Sequence, residues 1–142
     1  MPKYVIDRYM HSVLKDVVET LHDIFNYIKI DRIIVVRSYG SKTKAFARIY
    51  SLPSIWRYVL GIEPIYIIEI VDENFSKLSK DIQIRVLIHE ILHIPYKFSG
   101  GLRQHGKHVN NQMVNKIYMI YVNRKSQTNK RNRKSQTNKS IL

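Results

Sequence analysis

The sequence predicts an α+β fold, because helix-period apolar stripes lie at its start, middle and end while β-branched runs lie between them. Turn signals separate the runs, and a single stretch of 142 residues suits one hydrophobic core. The expected order is an N-terminal helix, a three- or four-stranded sheet, a central helix, a C-terminal helix and a basic tail.

Residues 4–28 read as the first helix, since Ile6, Met10, Val13, Leu14, Val17, Leu21, Ile24 and Ile28 recur at spacings of three and four. Lys15, Asp16, Glu19 and Asp23 fall mainly on the other side, and His11 and His22 are read as surface histidines. Residues 32–38 form a β-branched run that ends at the turn signal Tyr39-Gly40-Ser41. Residues 44–50 alternate as a second strand, so the two are expected to form a hairpin. Pro53 and Ser54 open a short helix over 55–60, which Gly61 and Pro64 stop. The sole tryptophan, Trp56, is assigned there to packing. Residues 65–71 make the third and most buried strand. Glu69 interrupts it, either to orient an imidazole or, the preferred reading, as an edge carboxylate facing water.

The central helix carries the chemistry. Ser79 is its N-cap, Asp81 lies in the first turn where negative charge is favoured, and Pro95 closes it. From Ile82 it is apolar on nearly every side, which places it in the interior. Within it stands His89-Glu90-Ile91-Leu92-His93. Histidines four apart share a helix face, so both imidazoles can hold a zinc ion while Glu90 acts on its water. Buried without a metal, two imidazoles and a carboxylate would be costly.

A catalytic zinc needs a third protein ligand and one open position. No Asp or Glu follows Ile94, so a downstream carboxylate ligand is excluded, and with no cysteine a thiolate is excluded too. His105 and His108 remain. A loop turning at Gly100-Gly101 would bring a final helix, over about 105–122, alongside the first two ligands. His105 is the preferred ligand because it lies nearest that turn. His108, one helical turn on, is read as assisting the water, bonding the substrate oxyanion or being simply exposed, with Arg103 and Tyr96 as further oxyanion candidates by proximity.

The run from His89 to Pro95, then Phe98-Ser99-Gly100-Gly101-Leu102-Arg103 and His105-Gly106, resembles the HExxH zinc metallopeptidases of archaea and phages. Upstream, Ala47-Arg48-Ile49-Tyr50, Leu52-Pro53, Ile55-Trp56 and residues 75–79 extend the resemblance over about 45–110. More distantly, His105-Gly106 is similar to the third-ligand pair of SprT-like proteases, although no zinc-ribbon cysteines follow. The resemblance implies a zincin-like peptidase domain over 1–122, with His89, His93 and His105 holding Zn2+ and Glu90 as general base. The substrate would be a peptide or protein, bound by adding to an exposed sheet edge.

Charge sets the remaining expectations. The net charge is +13, and residues 124–139 hold seven of the 24 basic residues and none of the 11 acidic ones. Residues 123–130 recur unchanged as 132–139, without an apolar side chain, so 123–142 is expected to be a disordered tail. Such a tail would contact nucleic acid only non-specifically, through phosphates. The rival reading is therefore a nucleic-acid-binding protein with a structural zinc, and a second is a zinc hydrolase of non-peptide substrates. The N-terminus lacks a signal-peptide apolar region and no run approaches 18 apolar residues, so a cytoplasmic protein without a membrane span is expected.

Overall fold

The computed structural model describes the backbone of residues 1–141 and side chains as far as Lys134, so expectations for Leu142 lie outside the described residues. The chain is α+β, with a mixed four-stranded sheet covered on one face by helices. Its strands are β1 (Lys3–Ile6), β2 (Ile33–Tyr39), β3 (Ala47–Ser51) and β4 (Tyr66–Val71), in the order β1-β2-β4-β3. The helices are α1 (Arg8–Thr20), α2 (Ser54–Leu60), α3 (Asp72–Phe75), α4 (Lys80–Leu92) and α5 (Asn111–Ile141).

β4 is nearly continuous in apolar residues because it is buried between two neighbours, parallel to β2 and antiparallel to β3. The expected hairpin of residues 32–38 with 44–50 does not form. β4 inserts between the two, pairing Ile68 with both Val35 and Ile49. β3 is thereby left as an edge. Glu69 also differs from the preferred reading, being 1% exposed on the central strand. It accepts from the Tyr50 hydroxyl at 2.7 Å and pairs with Arg48 at 3.2 Å. Those partners explain how a carboxylate persists there.

The first helix is shorter than its apolar stripe. Asp7 caps α1 by accepting from the Met10 amide at 2.9 Å, and residues 3–6 instead pair with β2 as an antiparallel strand. Arg37 bridges Asp7 and Asp72, both at 2.8 Å, tying that cap to α3. Met10, Leu14, Val17 and Val18 bury the inward face of α1.

α4 packs against both α1 and α5, which also touch each other, and it contacts β3. Ser79 caps it as expected, accepting from Ile82, and Leu87, Ile88, Ile91 and Leu92 are buried. Trp56 departs from its assignment: it is 56% exposed, and α2 buries none of its residues.

The C-terminal helix begins at Asn111, where the Asn110 side chain caps the Met113 amide at 2.8 Å. It runs on to Ile141 in place of the expected disordered tail. Two causes support this. The segment contains no Gly or Pro and is rich in Lys, Arg and Gln, which favour helix. Its first turn is also anchored to α1 and the turn that follows it, as Lys125 reaches Asp16 on the helix at 3.0 Å and Arg124 grips Asp23 in the turn at 2.6 and 3.0 Å. Two cations of the basic run are thus engaged by the protein itself.

Candidate metal centre

α4 presents His89 and His93 on one face, one turn apart, at its C-terminal end. The following loop returns to them. Tyr66 holds it in place, its hydroxyl accepting from the Gly100 amide at 2.9 Å and donating to the Gly101 carbonyl at 2.8 Å. Gly100 has φ +95, and a Cβ there would meet the Arg57 guanidinium at 2.7 Å. The left-handed backbone is what requires glycine, since the Arg57 side chain could shift away.

Arg103 fastens the loop to the helix end. Its amide donates to the His93 carbonyl at 2.6 Å, and its guanidinium donates twice to the Leu92 carbonyl, at 3.1 and 2.8 Å. The guanidinium also lies 4.5 Å from the Tyr96 ring centroid. Positive charge at a helix C-terminus, satisfying a carbonyl the helix leaves open, is favourable. Finally, the Arg103 carbonyl lies 2.5 Å from His93 Nδ1. With Nδ1–H donating to it, Nε2 keeps its lone pair.

Those contacts deliver His105 to the helix. His89 Nε2 lies 2.9 Å from His105 Nε2 and 3.3 Å from His93 Nε2. One ligand atom from each of the three imidazoles lies within 4.8 Å of the others. Tetrahedral bonds to zinc of about 2.0–2.1 Å would set nitrogens about 3.3 Å apart. The three histidines thus fit a tetrahedral metal ion with one position to spare. Burial, then the proximity of His93 and His105, holds His89 below the ordinary imidazole range, which keeps it neutral as a ligand must be. Glu90 is 7% exposed, and burial pushes its carboxyl up to about 8.

A groove of about 810 Å³ passes over the cluster, between residues 47–50 of β3 on one side and residues 102–105 on the other, with His89, Glu90 and His93 along its floor. The edge strand is thus one wall of the site, a role its sequence did not reveal. Its alternation marked a strand, while edge position depends on where β4 inserts.

The structure separates His108 from this group. It is on the loop before α5, not on a helix, and it lines another cavity together with Tyr27, Tyr96 and Lys116. Tyr96 stacks edge-on against Tyr27 at 5.1 Å. Arg103 and Tyr96 help to hold the loop, and Arg103 also lines the groove. Of the residues singled out by sequence, His89, Glu90, His93 and His105 come together.

Residues 2–128 match a family model described as "Putative phage metallopeptidase". That match covers most of the chain, and the chain belongs to this family. No curated protein and no solved structure matches it. No helix among the described residues is long and apolar enough to cross a membrane.

Proposed function

We propose that this phage-type metallopeptidase is a zinc enzyme of the HExxH class that hydrolyses peptide bonds with Glu90 as general base. The observation that carries the reading is the convergence of three imidazole nitrogens beside a buried carboxylate, on the floor of a groove walled by an unpaired strand edge. His89, His93 and His105 would hold the ion. When bound, zinc lowers the pKa of its water to about 7 and polarises a carbonyl.

The protein's own residues do the rest. β3 offers backbone donors and acceptors on its free edge, along which an extended peptide can pair and lie across the floor. Glu90 removes a proton from the attacking water and returns it to the departing amine. Its burial raises its affinity for a proton above that of an ordinary carboxylate, which favours the first half of that task. The Arg103 carbonyl keeps His93 in the tautomer that directs Nε2 at the ion.

Glu90→Gln tests the mechanism. The variant should retain its metal, since Glu90 is not among the three ligands, and should lose about 100- to 10,000-fold in hydrolysis of an unfolded protein. Metal analysis and turnover are measured on the same sample. Near-normal turnover with metal retained would exclude Glu90 as the base.

A further inference from the structure

A second cavity, of about 400 Å³, opens beside the metal centre and shares His89 and Glu90 with it. Its floor is one stripe of α4, formed by Ile82, Arg85, Val86, His89 and Glu90 at successive spacings of three, one, three and one. On a helix those positions share a face, so the stripe leads from an apolar end directly to the reacting groups. α5 supplies the opposite wall with Val114 and Asn115, and the start of β3 supplies Ala47 with Phe46 beside it. The space exists because Ala47, Val86 and Val114 are small for a site where three elements meet.

We infer that this cavity receives a large apolar side chain of the substrate, adjacent to the bond being cut. The inference rests on the peptidase reading of the neighbouring site and adds the class of residue selected. Three observations support it. The walls are mainly apolar, with Phe46, Ile82, Val86 and Val114 among them. Apart from Glu90 no acid lines the cavity, so nothing there would pair a basic side chain. Its one cation, Arg85, has its guanidinium over the Tyr118 ring, 4.5 Å from the centroid, so part of its charge is met within the protein. A peptide pairing along β3 would also cross the cavity mouth, because Ala47 belongs to both the groove wall and the cavity.

The test uses zinc-loaded full-length Glu90→Gln protein and fluorescent Ser/Gly peptides that differ at one position, carrying Leu, Phe, Gly, Glu or Lys. The Leu and Phe peptides should bind about tenfold or more tightly than the Gly peptide, the scale on which an apolar pocket discriminates. Asn115→Phe, at an exposed position that tolerates bulk, and Val86→Phe should both erase that preference while metal content and melting temperature hold. Wild-type protein, mapped by mass spectrometry of its products, should cut next to Leu or Phe. Binding indifferent to the variable residue, or favouring Glu, would overturn the inference. Loss of preference in neither Phe variant would overturn it as well. Preferred binding without cleavage by the wild type would leave the cavity assigned and remove the peptidase reading instead, so the two failures are distinguishable.

Discussion

α4 and the distal half of α5 are both helices, yet they are held by opposite means. α4 is apolar on nearly every side and packed by α1, α5 and β3, with Ile88 and Ile91 fully buried. Past Tyr121, α5 presents mostly exposed Lys, Arg, Asn and Gln, and its ties to the domain include ion pairs at Arg124 and Lys125 and a hydrogen bond from Arg124 to the Thr20 carbonyl. Burial fixes position closely, because dense packing leaves few alternative arrangements. Exposed ion pairs fix it loosely and are screened by salt. The proposed site belongs to α4, the packed helix of the two. In the roles proposed for them, His89, Glu90 and His93 would need placement to within a fraction of an ångström, which dense packing supplies.

The largest contrast between the two helices should appear in metal retention. Alanine at His89 or His93 should abolish tight binding of one metal per chain, and alanine at His105 should weaken it by more than about 100-fold, beyond what loss of a mere orienting partner costs. His108→Ala should leave it unchanged, as should alanine at Lys130 on α5. Metal content after dialysis against a chelator reads all five variants. Metal lost from His108→Ala and kept by His105→Ala would reverse the ligand assignment.

Stability should show the same division. Ile88→Ala removes a fully buried side chain from α4 and should cost about 2–5 kcal/mol. Asn129→Ala, at an exposed position of α5, should stay within about 0.5 kcal/mol of the parent. Denaturant unfolding of both variants measures the gap. Equal effects would mean that α4 is not the packed element described.

Arg103 extends the contrast to a residue that holds the candidate site through backbone carbonyls. Arg103→Met removes the two bonds to the Leu92 carbonyl and loosens the carbonyl that orients His93. Metal affinity should fall about 10- to 100-fold, with the fold kept as judged by circular dichroism. A cobalt-substituted sample should show an altered ligand-field spectrum, which a distant structural role would not produce.

What the sequence disclosed follows the same line between local and distant causes. The cap at Ser79, the helix and the His89–His93 pair were legible because each depends on neighbours within a turn or two. The lack of acids and cysteines downstream of α4 leaves His105 and His108, and nearness to the Gly100-Gly101 turn favours His105. The hairpin was misjudged because chain proximity favours pairing of residues 32–38 with 44–50, and only the later strand β4 can displace it. Glu69 was misplaced for the same reason, since its partners Arg48 and Tyr50 lie on another strand. Residues 3–6 extended a helical stripe into what is a strand, because Ile6 satisfies either periodicity until Asp7 caps α1. Composition alone marks the tail as disordered, because the partners of Arg124 and Lys125, Asp23 and Asp16, lie more than 100 residues away in sequence.

The smallest expected effect lies at that anchor, and it is the most informative about how α5 is held. The hydrogen-bonded guanidinium of Arg124 lowers the Asp23 carboxyl from 3.8 to about 2. A carboxyl whose pKa falls on folding binds its proton less readily in the native state. It therefore adds stability at pH values above the ordinary 3.8, and that contribution disappears as pH drops toward 2. The pair is exposed, at 35% for Arg124 and 53% for Asp23, so solvent and salt screen most of the attraction. Asp23→Asn should consequently lower the melting temperature only slightly at pH 6 and low salt. The difference from the parent should narrow as pH falls from about 4 to about 2, and also as salt rises at fixed pH. Amide exchange along residues 123–131 should quicken in the variant at pH 6 while α4 stays protected. If exchange along that segment is unaltered, helix propensity alone sustains α5 beyond the domain and the ion pair is incidental.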